Sequence, residues 1–285
     1  MKLLRIGAFA LAAVLCVLAL ASCGSGSKKP VILVVSFGTS YNDSREVTIG
    51  GIEKAIQAAN PDKEVRRAFT SQIIIDKLKS RDNIEIDNVE EAFARLKKDG
   101  VKDLIVQPTH VMSGYEYDDL MKVVNAEKSN FTSVKVGAPL LTSDADYDAV
   151  IAAITAATAE YDDGKTLITF MGHGTEHASN ATYAKLQEKL TAAGKSNYCV
   201  GTVEAEPSLE DVIAAAKAGG YTRVVLEPLM VVAGDHANND MAGDEEDSWK
   251  TVLQGEGFEV VPVLKGLGQI EAVQAVYVAH VAAAK

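Results

Sequence analysis

The strongest limit on how this chain can fold is a pattern that it carries twice. A continuous apolar run, Val31 to Phe37, ends at a turn through Gly38-Thr39 and leads into a helical stretch. Much later the run Thr166 to Phe170 ends at Met171-Gly172-His173-Gly174-Thr175 and leads into another helical pattern, Ala181 to Ala193. A further pair of stretches matches as well. Leu104-Ile105-Val106-Gln107-Pro108 continues to Gly114 and Met121, and Val224-Val225-Leu226-Glu227-Pro228 continues to Gly234 and Met241 at the same spacing. Two matches in the same order predict an internal duplication. Runs that are apolar throughout are strands covered on both faces, as in parallel sheets. Their alternation with helical stretches is that of βαβ units. The expected fold is therefore α/β: two similar Rossmann-like domains with parallel sheets, and a cleft between them lined by strand-end loops.

The strands expected in the first half are Val31 to Phe37, Glu64 to Phe69, Asp103 to Gln107 and Ser133 to Ala138. Those in the second are Leu167 to Met171, Tyr198 to Val203, Arg223 to Glu227 and Phe258 to Val263. One helix is expected from about Asp43 to Ala59, with Asp43 or Ser44 as its cap and Asn60-Pro61 as its stop, and another over Glu245 to Gln254. A last helix, Ile270 to Ala284, is apolar on most sides and is expected to pack across the other half. This divides the chain into an N-terminal domain, 30–142, a C-terminal domain, 143–268, and the closing helix, 269–285.

The first 29 residues are of another kind. Lys2 and Arg5 precede an uncharged apolar stretch, Ile6 to Leu20, and Leu20-Ala21-Ser22-Cys23 follows, similar to the lipobox of bacterial lipoproteins. The apolar stretch is short for a membrane span. The expectation is a signal segment over 1–22, a tether over 23–29, and membrane attachment outside the cytoplasm through lipid on Cys23; an ordinary secretory signal or an anchor are the other readings. Removing the two basic residues takes the net charge from −11 to −13. So acidic a surface argues against nucleic acid as a partner but does not repel a divalent cation. Of the three cysteines, Cys16 and Cys23 lie in this segment, which leaves Cys199 alone and excludes a disulfide framework. A buried structural thiol is its default reading.

The chain has five histidines, and two of them fall at strand ends of the second half. Glycines flank His173, which lets the backbone turn sharply and leaves the imidazole approachable. His236 lies in Ala233-Gly234-Asp235-His236, and between the two the strand from Tyr198 leads to Glu204. Neighbouring strands of one sheet thus deliver His173, Glu204 and His236 to one edge. Neutral imidazoles with a carboxylate suit Co²⁺, Ni²⁺, Fe²⁺ or Zn²⁺. The spacing is not a local ligand signature, and the same residues fit hydrogen-bonded loop histidines and a solvated carboxylate equally well. Glu206, two residues on, faces the same side as Glu204 if the strand stays extended. Asp235 and Asp240 can orient an imidazole or serve as caps. His177 reads as a second layer around the site or as the polar start of a helix. His110, on the facing strand end, reads as a ligand contact or as loop packing, and His280 as structural. In the first half Phe37 stands where His173 stands, and Glu116 where His236 stands. No dinucleotide-binding glycine motif, Walker loop or Gly-x-Ser-x-Gly elbow is present, and no base is placed for Ser36.

These segments resemble a known family. Ser36-Phe37-Gly38-Thr39-Ser40, Met171-Gly172-His173-Gly174-Thr175, Val203-Glu204, Pro228 to His236, Asn239-Asp240-Met241, Asp247-Ser248-Trp249-Lys250 and Gly266-Leu267-Gly268 are similar to the sirohydrochlorin cobaltochelatases of the class II chelatase superfamily. The likeness covers essentially everything after the tether. It implies two chelatase-type domains and a lyase that inserts Co²⁺ into the tetrapyrrole sirohydrochlorin with loss of two protons, Fe²⁺ and Ni²⁺ being the other candidate metals. It also implies that His173, Glu204 and His236 bind the metal and carry the catalysis. Phe37, Met112, Leu229 and Met230 would grip the macrocycle, or else only line the domain interface. Its carboxylates would find donors near Gly38, Ser40 and Gly114, with Arg45 and His110 as further contacts. The export-type segment departs from the pattern, because cobalamin synthesis is normally cytoplasmic. The alternative it raises is a lipoprotein that binds metal or haem for uptake without turnover. The sequence leaves open whether the chain forms a homo-oligomer.

Overall fold

The computed structural model describes residues 29–285. The expected signal segment and the lipid site at Cys23 lie outside the described residues. Among the described residues, no helix is long and apolar enough to cross a membrane.

The first sheet contains β1 (Val31–Ser36), β2 (Glu64–Phe69), β3 (Asp103–Pro108) and β4 (Ser133–Val136) in the order β2-β1-β3-β4. The second contains β5 (Thr166–Gly172), β6 (Tyr198–Thr202), β7 (Arg223–Pro228) and β8 (Glu259–Pro262) in the order β6-β5-β7-β8. All pairings are parallel. The two orders are the same, so the duplication read from two short matches extends over the whole topology. Parallel strands packed on both faces must be apolar throughout, and Val31 through Val35 are no more than 1% exposed. The register repeats too: Val34 pairs with Gln107 as Phe170 pairs with Glu227.

Helices cover both faces. Around the first sheet they are α1 (Asn42–Val47), α2 (Ile49–Ala59), α3 (Gln72–Asp82), α4 (Val89–Lys98) and α5 (Tyr115–Glu127), and α6 (Asp144–Ala157) opens the C-terminal domain. In the second half they are α7 (Ala181–Ala192), α8 (Leu209–Ala218), α9 (Trp249–Gly255) and α10 (Glu271–Ala283). Two expectations fail locally. The helix expected from Asp43 is broken at Thr48 (φ −97°, ψ −78°), and Tyr41 precedes it with no side-chain cap. Ser44, expected as a cap, instead accepts a hydrogen bond from the backbone of Ala233 in the other half. The bend also leaves room for Gly268, where a Cβ would sit 3.0 Å from Thr48. The helix expected over Glu245 to Gln254 is shorter, because Ser248 caps it by accepting from Thr251 N–H.

The helix that follows each sheet in the chain packs on the other domain. α6 follows the first sheet but lies along α7, with ion pairs from Lys185 to Asp144 and from Lys189 to Asp148. α10 follows the second sheet but lies along α2 and the first sheet. There Tyr277 Oη donates to Thr109 O (2.8 Å), and His280 bonds Ala138 O and Asp146. A shared apolar core results, joining Ile32 and Val34 of one sheet to Ile168 and Phe170 of the other through α2, α6, α7 and α10. Burying each large side chain there stabilises the pairing by about 2 kcal/mol.

Candidate metal centre

The carboxyl ends of β5, β6 and β7 point the same way, and the loops beyond them carry the candidate ligands. The β5–β6 ladder continues past the strands: Val203 N–H donates to Gly172 O (3.1 Å) and Glu204 N–H to His173 O (2.9 Å). These bonds fix Glu204 alongside His173. Gly174 then turns away with φ +87°, and a Cβ there would meet the backbone nitrogen of Ala205 at 2.7 Å, so only glycine fits. His236 immediately precedes a wide helical turn, Ala237–Met241, that closes the loop after β7.

One ligand atom from each of His173, Glu204 and His236 can be chosen so that all three lie within 4.8 Å of one another. The two imidazoles stand edge to face, centroids 4.5 Å apart and planes at 88°. No other group of three or more His, Cys, Asp or Glu side chains is so disposed among the described residues. His173 Nδ1 lies 2.8 Å from Gly174 O, which only accepts, so Nδ1 carries the proton and Nε2 keeps a free lone pair. His236 Nδ1 lies 2.8 Å from Asp240 Oδ2, which fixes the same tautomer by a charge-assisted bond. The side chains of His173 and Glu204 are 46% and 54% exposed, so the cluster opens to solvent on one side. Two neutral nitrogens and one carboxylate can hold a divalent ion and still leave positions for water or another ligand. Asp240→Ala removes the bond that orients His236 and is expected to weaken Co²⁺ binding about tenfold to a hundredfold, as measured by calorimetry.

The structure separates Glu204 from Glu206. The strand ends at Thr202, and the chain folds back so that Thr202 Oγ1 donates to Pro207 O (3.1 Å). The two-residue alternation therefore stops, and Glu206 meets Asp211, whose carboxylate shares a hydrogen bond with it and raises its pKa. Asp235 is likewise not a partner of either imidazole; its Oδ1 accepts from Tyr41 Oη of the first half at 3.5 Å. His177 caps the turn that follows it by accepting from Ser179 N–H, and His280 is held in the core by two bonds. Cys199 is a buried free thiol that burial pushes up to about 11.

The residues expected to touch a macrocycle are spread over several environments. Phe37 is 48% exposed just beyond the end of β1. Gly38 (φ +102°) has the Phe69 ring where a Cβ would be, and Gly114 precedes α5 close to Ser179 Oγ. Met112 is partly buried against the shared core, and Met230 against the second half's own core. Leu229 takes the second of its two expected places, the interface between the halves: its N–H continues the ladder to Met171 O, and its side chain, 1% exposed, belongs to the shared core. Ser40 is also buried, its carbonyl accepting from Arg81. Arg45 supports that loop from beneath through Asn42 Oδ1 (2.7 Å) and Thr39 O (3.5 Å), instead of presenting its guanidinium to the cleft. Both ring nitrogens of His110 are buried and lack a hydrogen-bond partner among the described residues, and burial pushes its pKa down to about 4. It therefore offers the cleft no polar atom in this structure. Sequence reading missed Tyr115, 57% exposed at the start of α5, and the ties from Tyr41, Ser44 and Asp118 to the second half. Their only sequence signal was position shortly after the carboxyl ends of β1 and β3.

Two similar α/β halves with a histidine–carboxylate cluster at the strand ends of one define a metal-handling protein of the chelatase fold. The family model for cobalt chelatase (CbiK) matches residues 30–285, and the chain belongs to that family. It is 40% identical over 252 residues to a sirohydrochlorin cobaltochelatase of Salmonella typhimurium, covering 88% of this chain and 95% of that protein. It is 32% identical over 258 residues to the sirohydrochlorin cobaltochelatase CbiKC of Nitratidesulfovibrio vulgaris, covering 90% of each. Among solved structures it is similar in fold to SirB from Bacillus subtilis with Fe³⁺, at a TM-score of 0.60 and 13% identity over 89% of this chain and 94% of that one.

Proposed function

We propose that the protein is a sirohydrochlorin cobaltochelatase, and that His173, Glu204 and His236 hold the incoming Co²⁺. The observation that carries this reading is the convergence of those three side chains, with the Nε2 lone pair of both histidines left free. The reaction exchanges two pyrrole N–H protons for one Co²⁺. The ion must lose water ligands in steps, and two imidazoles with a carboxylate replace them without closing its coordination sphere. Imidazole is also the side chain suited to taking up protons near neutral pH, so the groups that release the metal can receive what the pyrroles lose. Asp240 supports a positive charge on His236 as that happens. The opposite wall carries Phe37 and Tyr115, both substantially exposed, in place of ligands. A planar macrocycle can lie on such a surface with its other face toward the metal.

The test is direct. The soluble form lacking residues 1–23 is mixed with sirohydrochlorin and Co²⁺ and the absorption spectrum is followed. Insertion well above the uncatalysed rate is expected. Tight binding of metal or tetrapyrrole without insertion would replace the enzyme by a binding protein for uptake, the reading favoured by the lipobox-like Leu20-Ala21-Ser22-Cys23. That segment also supports a location outside the cytoplasm with lipid on Cys23. Radiolabelled palmitate incorporated by the full-length protein but not by Cys23→Ala is the expected result; equal labelling of the two would remove the anchor.

A further inference from the structure

The loop that carries His173 is also fastened to the other half of the molecule. Within the loop, His177 N–H donates to Thr175 Oγ1, and Thr175 N–H donates to Asn180 Oδ1. Asn180 Nδ2 donates to Glu206 O at 2.7 Å, which joins this loop to the one bearing Glu204. His173, Glu204 and His177 thus ride on one hydrogen-bonded unit. Its outward contact is the His177 ring. Nδ1 accepts from Ser179 N–H at 3.0 Å, so the neutral ring carries its proton on Nε2. Nε2 faces Asp118 Oδ2 of α5 at 3.4 Å, and the ring stands edge to face with Tyr115, centroids 4.9 Å apart and planes at 73°. Both partners belong to the first half, and Tyr115 lies on the wall proposed to receive the macrocycle.

We infer that His177 is a positioning residue: it clasps the metal-binding loop to α5, so that a tetrapyrrole seated on the first half and a metal held by the second meet in one fixed geometry. The inference rests on the chelatase reading above. A clasp of this kind leaves metal affinity alone and acts on the step in which ion and macrocycle must be aligned. Misplacement by about 1 Å is enough to cost a hundredfold in rate.

His177→Asn separates the clasp from simple capping. The Asn Oδ1 takes the place of Nδ1 and still accepts from Ser179 N–H, but the side chain is too short to reach Asp118. His177→Asn and Asp118→Ala are each expected to lower kcat for cobalt insertion about tenfold, and the double variant to lose no more than either alone. The Kd for Co²⁺ without tetrapyrrole is expected to stay within about twofold of wild type. Backbone amides of α5 around Asp118 are expected to exchange hydrogen faster in His177→Asn. Wild-type kcat in His177→Asn, or kcat, Kd and Tm falling together, would overturn the clasp in favour of a local or general structural role. If the wild type inserts no metal, the chelatase reading fails by itself. Hydrogen exchange then decides the clasp, and unchanged α5 amides would sink it.

Discussion

Replacing either His173 or His236 by Ala is expected to lower kcat/KM for cobalt insertion roughly a thousandfold. Each imidazole is assigned two tasks: donating to the ion and accepting a pyrrole proton. Acid–base assistance by a positioned group spans about 10² to 10⁴ in rate, and loss of a ligand adds to it. The two rings are perpendicular and 4.5 Å apart, so neither can take over the other's place. The double variant should therefore be little worse than the poorer single one, as expected of groups acting as a unit. Glu204→Gln keeps the shape and removes the single formal charge of the cluster, so its loss should appear mainly in Co²⁺ affinity. Calorimetry with Co²⁺ alone, beside the spectral assay, separates these effects. A His173→Ala variant that binds and inserts cobalt like wild type would remove the cluster from the mechanism.

Glu227→Gln is expected to stabilise the protein by about 3 kcal/mol at pH 8 and by almost nothing at pH 4. Glu227 is 2% exposed on β7, its carboxyl makes no hydrogen bond or ion pair among the described residues, and burial pushes it up to about 7, only partly offset by Lys265. The sign follows from comparing the two states. Below the unfolded value, near 4.5, the carboxyl is neutral in both and costs nothing. As pH rises toward 7 the unfolded chain loses its proton while the folded one keeps it, and stability falls by about 1.4 kcal/mol per pH unit. Above that the deficit is constant. The first half shows what an amide does at the equivalent place: Gln107 Nε2 donates to Pro108 O (2.8 Å) and Ala138 O (2.9 Å). The surrounding backbone is repeated, since Val263 N–H donates to Leu226 O as Gly137 N–H does to Val106 O, but Val263 carries a Cβ where Gly137 leaves room for the Gln107 amide, so the gain comes from removing the charge and not from copying those bonds. Urea unfolding at the two pH values checks the claim. A gain independent of pH would mean that the charge of Glu227 is not what costs stability.

Much of this was legible in the sequence because the informative residues act locally. A strand buried on both faces must be apolar, so Val31 to Val35 announced β1 without any knowledge of its neighbours. The glycines around His173 marked a strand-end loop for the same reason, and the repeated spacing from Leu104 and Val224 disclosed the duplication. Other features depend on how the halves meet, and no local pattern encodes that. Ser44 looked like a helix cap because serine usually is one, yet its hydroxyl was taken by Ala233. Leu229, expected from the resemblance to grip the macrocycle or else to line the domain interface, does the latter, because the shared core reaches that far. Asp235 and Asp240 were indistinguishable as partners for His236 until the wide turn brought Asp240 round and left Asp235 facing Tyr41.

The exchange of α6 and α10 between the halves has a practical corollary for dissecting the molecule. No single cut yields two fragments that each keep their own covering helix, because α10, which lies along α2, is the last helix of the chain. A circular permutant can do what a cut cannot. Joining residue 285 to residue 30 through a linker and opening the chain at 143 gives the order 143–268, then 269–285, then 30–142. Severing that permutant at 268 would leave α6 with the second sheet and α10 with the first. Those are the two pieces in which the half carrying the histidine–carboxylate cluster and the half carrying Phe37 and Tyr115 could be prepared, and recombined, separately.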